Sequence, residues 1–159
     1  MAGARVRPIG VLRSRLVRRG DAPMQGFEGA PDAWLDVHAW AADALRGVAV
    51  GDELIVITWF HRARRDVLLV HPRSDRSNPL TGVFATRSPD RPNPLGLHPV
   101  TVRSIAGTRL RVGPIEAIDG TPVVDLKPVL TAARRASGRA RPSARAPAGR
   151  RSRRSRDRR

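Results

Sequence analysis

Cysteine is absent from this 159-residue chain, which excludes disulfides, thiolate nucleophiles and cysteine-ligated zinc. No apolar run reaches the roughly 18 residues a bilayer crossing needs, and no signal-peptide core follows the basic start. A cytoplasmic protein with no membrane partner is therefore expected. Lysine is nearly missing too, since Lys127 is the only one among thirty basic residues. There is no GxGxxG after a strand, no GxxxxGK[ST] and no GxSxG. A Rossmann nucleotide site, a P-loop and a serine nucleophile elbow all go unsupported. The four histidines, His38, His61, His71 and His98, show no metal-ligand spacing, so no metal is expected. His61, directly after an apolar run, stands where binding residues often sit.

What is present is enough apolar material, 40% of residues, for one core and one domain of ordinary size. The net charge of +16 is unevenly placed: residues 131–159 hold twelve Arg and one Asp, leaving +5 for residues 1–130. Two parts are expected, a folded domain over 1–130 and a disordered Arg-rich basic tail over 131–159. The tail has almost no apolar side chain larger than Ala to offset ordering entropy. Its charge points to nucleic acid, the alternative being an extension with weak affinity for any polyanion.

Along the chain, residues 6–12 (VRPIGVL) read as an opening strand and 13–31 as a long polar loop, with APMQGF at 22–27 the first place to look for a ligand. Residues 32–48 read as a strand and then a short helix ending at Gly47. Residues 53–60 (ELIVITWF) read as a buried strand, joined by the basic turn 61–65 to another strand over 66–71. Prolines at 72, 79, 89, 92, 94 and 99 make 73–99 a shaped loop. Strands follow at 100–105, 109–112 and 123–126, with turns at Gly107, Gly113 and Asp119-Gly120. Seven or so short strands with one or two short helices predict an all-β chain, a single small closed or nearly closed β-barrel.

Two segments concentrate polar groups. In residues 82–97 (GVFATRSPDRPNPLGL), prolines restrict a loop bearing Thr86, Arg87, Ser88, Asp90, Arg91 and Asn93, the preorganisation a binding site requires. Arg87 and Arg91 suit a carboxylate, and Asn93 offers a donor and an acceptor; a rigid crossover loop with surface charges is the competing reading. In residues 117–128 (AIDGTPVVDLKP), Asp119-Gly120 has turn chemistry, and Asp125 and Lys127 share a strand face where an exposed ion pair would account for both.

GVFATRSPDRPNPLGL, DGTPVVDLKP and the opening PIGVLRS together resemble the TsaA/TrmO-like family, over most of residues 6–130. The resemblance implies a β-barrel that binds S-adenosylmethionine, commonly as a homodimer with the cofactor near the interface. It also implies methyl transfer to the exocyclic nitrogen of threonylcarbamoyladenosine beside the anticodon of tRNA. Carried over position by position, the cofactor contacts are Pro23, Met24 and Gln25, then His61 and Arg62, Arg87, Leu97, and the stretch Gly113, Pro114, Ile115 and Glu116. Arg91 and Asn93 fall to the acceptor, Arg91 toward its threonyl carboxylate, and Asp119 or Asp125 would take the proton from a weakly nucleophilic carbamoylated nitrogen. The chain departs from the family pattern at Asp90, at His98 in place of Ser, at Met24 and at Val129. Two other readings stay open: a methyltransferase of this fold acting on another RNA or a small molecule, and a non-catalytic basic RNA-binding barrel.

Overall fold

The structure, a computed structural model, describes residues 5–130; the expected Arg-rich tail lies outside them. Eight strands follow one another: β1 Gly10–Arg13, β2 Ala33–Val37, β3 Glu53–Trp59, β4 Leu69–Val70, β5 Thr81–Gly82, β6 Leu95–Ala106, β7 Arg109–Gly113 and β8 Pro122–Pro128. Six of them close into an antiparallel barrel in the order β1-β2-β7-β6-β3-β8, which removes free edges.

Alternation along each strand fills the barrel. Leu12, Leu35, Leu54, Val56, Leu110, Val112 and Val123 point inward and are buried, together with Val100 and Val102 of β6. Ile115 and Ala117, from the connection after β7, cap this core. The apolar run of β3 is less enclosed than its composition suggests, because Ile55, Ile57 and Trp59 face outward and are half-buried.

Several boundaries differ from expectation for identifiable reasons. The helix expected before Gly47 is a 3-10 segment, Ala39–Leu45, and every other helical piece among the described residues is a single 3-10 turn. The strand expected over 66–71 shrinks to β4, which pairs with β5 outside the barrel rather than with β3. The largest difference is β6, which begins at Leu95 inside the proline-studded segment and runs through Pro99. Pro99 is opposite Ile55 of β3, whereas β7 pairs with β6 only from Thr101 onward. With one flank unpaired at that point, a residue without an N–H is tolerated in the strand. Among the described residues no helix is long and apolar enough to cross a membrane.

Candidate functional site

Barrel topology sends three of the connections to one end. There Arg13 at the close of β1 is opposite Trp34, Trp59 at the close of β3 is opposite Leu95, and Val112 near the close of β7 is opposite Ala33. Residues 14–32, 60–94 and 114–121 therefore share that rim, and the candidate site residues lie in these connections or at the strand ends beside them, except Leu97 and Asp125, which flank Ile57 within the barrel wall. Asp119-Gly120 belongs to the last connection; it turns the chain, with Gly120 at φ +77°, but joins strands that are not neighbours.

Asp90 ties two of the connections together. Its Oδ1 accepts the Arg64 backbone N–H at 2.8 Å and Arg19 Nη2 at 3.0 Å. The Arg91 N–H donates back to the Arg64 carbonyl at 3.0 Å. Arg19 Nη1 also donates to the Arg62 carbonyl, and Arg62 Nη1 to the Val17 carbonyl. Partial burial pushes the Asp90 carboxyl upward, but the hydrogen bonds from Arg19 and Arg64, with their charges, outweigh it and hold the group below the usual aspartate range.

The loop around Arg87 is wound about Arg91. That guanidinium donates from Nε to the Ser88 carbonyl at 2.8 Å and from Nη2 to the carbonyls of Val83 and Thr86. Arg91 is thus the brace of its own loop, a role that residue type alone did not distinguish from substrate binding. Arg87, by contrast, is exposed and makes no hydrogen bond or ion pair with any described side chain or backbone group. The Asn93 side chain is equally uncommitted.

Gln25 caps the 3-10 turn Gly26–Glu28 through a capping box with Glu28, whose Oε1 receives Arg73 Nη2 at 2.8 Å. Pro23 and Met24 precede it, Met24 half-exposed. A methyl group at Gly26 would stand 3.0 Å from the Pro114 carbonyl oxygen and 3.2 Å from Glu116 Oε2, so the 23–26 and 113–116 segments lie against each other. Glycine at 26 permits that approach. The Gly113–Pro114 bond is cis, Ile115 is fully buried, and Glu116 is partly open.

His61 and Arg62 follow β3 directly. Desolvation, then the charge of Arg62, lowers the His61 pKa from its ordinary 6.5, favouring the neutral imidazole. Leu97 points outward from β6 opposite Ile57 of β3, and Asp125 of β8 is opposite Ile57 on its other side. Asp125 Oδ2 pairs with Lys127 Nζ at 2.9 Å, the ion pair their spacing suggested. Asp119 Oδ1 accepts the Ser14 N–H at 3.0 Å and its own N–H donates to the Leu16 carbonyl at 2.7 Å, fastening the first connection to the last.

One arrangement has no signal in the local sequence. His98, fully buried, meets Glu116 Oε1 through Nδ1 at 2.9 Å and Thr58 Oγ1 through Nε2 at 2.8 Å. Its partners lie 18 and 40 residues away, beyond any motif. A shallow groove of about 250 Å³ runs along Glu53, Pro99, Val100, Thr101, Gly113, Pro114 and Val129, and gathers only Gly113 and Pro114 of the expected site residues. Among the described residues no three His, Asp or Glu side chains converge as metal ligands.

Comparison with known proteins concerns the chain as a whole. The family model described as the tRNA-methyltransferase O N-terminal domain matches residues 11–134. A probable S-adenosyl-L-methionine-binding protein of Methanothermobacter thermautotrophicus is 42% identical over 124 residues, 78% of this chain and 88% of that one. An S-adenosyl-L-methionine-binding protein of Archaeoglobus fulgidus is 38% identical, over 77% of this chain and 86% of its own length. A crystal structure of TrmO from Pseudomonas aeruginosa has a TM-score of 0.65 at 30% identity, across 90% of this chain. The chain spans 56% to 63% of the TrmO chains whose structures it matches.

Proposed function

As a member of the tRNA-methyltransferase O N-terminal domain family, the chain is, we propose, an S-adenosylmethionine-dependent methyltransferase that modifies the exocyclic nitrogen of threonylcarbamoyladenosine beside the tRNA anticodon. The observation that carries the reading is that Pro23–Gln25, His61–Arg62, Arg87 and Gly113–Glu116 stand on three connections leaving one barrel end, where the 23–26 and 113–116 segments touch. The donor set suits the cofactor: apolar Met24 and Leu97 for its flat and methylene surfaces, the uncommitted Arg87 guanidinium for a carboxylate, and Glu116 as an acceptor.

When bound, S-adenosylmethionine supplies an electrophilic methyl group on a sulfonium. The protein's part is to hold the acceptor nitrogen in line with it, so that positioning supplies much of the acceleration. Arg91 and Asp90 keep the 82–97 loop in shape for that task, while Asn93 presents a donor and an acceptor to the substrate. Both carboxylates proposed to take the released proton are already engaged, Asp119 by the Ser14 N–H and Asp125 by Lys127 and the Leu126 N–H; Asp125 is partly exposed and is separated from Leu97 by β3.

A second copy of the chain completes the site in this reading. Exposed Phe27 and Phe84, at 82% and 83%, stand with Leu68 and Leu80 on the connections of the same end, apolar surface that a partner subunit would cover. Calorimetry on the purified chain, which should sediment as a dimer, is expected to give saturable S-adenosylmethionine binding. Nucleosides of tRNA from a strain lacking the gene should lack the methylated threonylcarbamoyladenosine. No binding would remove every methyltransferase reading and leave an RNA-binding barrel; binding with an unchanged nucleoside profile would reject the tRNA substrate alone.

A further inference from the structure

Only three polar side chains are fully buried among the described residues, Thr58, His98 and Thr121. Thr121 bonds within its own turn, its hydroxyl donating to the Ile118 carbonyl at 2.7 Å. Thr58 and His98 instead form one chain that leads outward to Glu116. Both project into the barrel from paired strands, since Thr58 of β3 is opposite Gly96 and Val56 opposite His98. Gly96 leaves them room: a methyl group there would meet Phe60 Cζ, with Thr58 Oγ1 at 2.5 Å and His98 Nε2 at 2.6 Å. The Phe60 ring stands edge-on to His98, its centroid 5.7 Å away. A buried polar chain adds little stability over apolar residues of the same shape, and it is costly if any member loses its partner. Its distinct effect is geometric, because each bond fixes the next group's rotation.

The direction of the chain is set by donor chemistry. A carboxylate only accepts, so Nδ1 of His98 carries a hydrogen and donates it to Glu116 Oε1. The Thr58 hydroxyl holds the opposite ring nitrogen and so fixes the imidazole plane. With Oε1 engaged, the other oxygen, Oε2, is turned toward Gly26, beside Pro23–Gln25. Glu116 thereby carries a rotamer chosen from behind, at the point where the first and last connections touch.

We propose that His98, held by Thr58, is a positioning residue that fixes the Glu116 carboxylate as a preset acceptor for hydrogen-bond donors of the bound cofactor. The inference rests on the S-adenosylmethionine reading above. Those donors are either ribose hydroxyls or the α-ammonium group, and an analogue keeping only the ribose, 5′-methylthioadenosine, separates the two.

The test is calorimetry with S-adenosylmethionine and with 5′-methylthioadenosine on the full chain and on Glu116→Gln, His98→Asn, His98→Gln and the His98→Gln/Glu116→Gln double variant. The amide nitrogen of Asn can occupy the Nδ1 position and keep the bond to Glu116. That of Gln reaches the Nε2 position, so it keeps Thr58 and loses Glu116. His98→Asn should retain affinity, whereas His98→Gln and Glu116→Gln should each lose about tenfold, the worth of a hydrogen bond to a charged group. The double variant should lose no more than Glu116→Gln alone. Parallel loss for both ligands assigns the ribose; loss for S-adenosylmethionine alone assigns the ammonium.

Equal affinity in wild type and His98→Gln, or losses that multiply in the double variant, would overturn the inference while leaving the cofactor reading intact. Failure of the wild-type chain to bind S-adenosylmethionine would overturn both. Thr58→Val, which removes the hydroxyl at nearly constant volume, supplies the same comparison if a His98 variant does not fold, with a severalfold loss expected and an unchanged affinity counting against the proposal.

Discussion

Asp90 lies between two segments that sequence distance keeps apart, 26 residues from Arg64 and farther still from Arg19. One carboxylate oxygen receives both, so replacing it with an amide weakens two contacts at once. Asp90→Asn is expected to lower stability by about 1–3 kcal/mol, the range for hydrogen bonds to a charged group, measured by denaturant unfolding at neutral pH. The pH dependence has a definite sign. Because the folded-state pKa is depressed below its ordinary 3.8, the contribution is present above that value and is lost as pH falls through the lowered one. The gap between wild type and Asp90→Asn should therefore narrow on acidification below about pH 4; a gap that widens would exclude the carboxylate as its source. Arg91 and Arg87 show the same lesson at the same scale. Two arginines four residues apart look alike in sequence, yet one is engaged by three carbonyls and the other by none.

At the scale of elements, β6 decides the most. Twelve residues long, it joins β3 through its first half and β7 through its second, and its inward positions change character along the way. Gly96 and His98 lie near the site, Val100 and Val102 in the core. Gly96→Ala should cost about 1–3 kcal/mol, as overpacking of a filled interior does, because the new methyl group meets Thr58, Phe60 and His98 together. Gly82→Ala is the control: nothing lies within 4 Å of the added atom and its φ is −61°, so a change within about 0.5 kcal/mol is expected. Comparable shifts in melting temperature for the two variants would contradict this account of β6. The strand's early start was hidden in the sequence because prolines at 92, 94 and 99 signal a loop. Only the unpaired flank beside Pro99 makes a strand possible there.

For the whole molecule, charge and fold are separable. Residues 1–130 hold +5 of the net +16, and within the described barrel many arginines are already paired: Asp32 with Arg103 and Arg111, Asp36 with Arg13 and Arg109. The remaining +11 belongs to residues 131–159. We propose that this segment holds RNA electrostatically while the barrel end supplies the chemistry, since phosphate contacts position a substrate without specifying it. Deleting residues 132–159 should weaken tRNA binding and flatten its dependence on salt, with S-adenosylmethionine affinity unchanged. Equal salt slopes with and without the segment would refute this division of labour.

The sequence by itself determined the class of fold and most strand positions, because alternation of apolar and polar side chains is a local property that each strand carries within a few residues. It also placed the ion pair of Asp125 with Lys127, two positions apart on one strand. The long motif in residues 82–97 pointed to the family on which the cofactor and substrate readings rest. What only the tertiary structure decided is which groups meet: Asp90 with the Arg19 side chain and the Arg64 N–H, Asp119 with the Ser14 N–H across 105 residues, and His98 with Thr58 and Glu116. Such partners are chosen by strand order and by the rim where connections emerge. No periodicity records them, because a hydrogen bond depends on distance in space and the barrel brings distant segments within its reach.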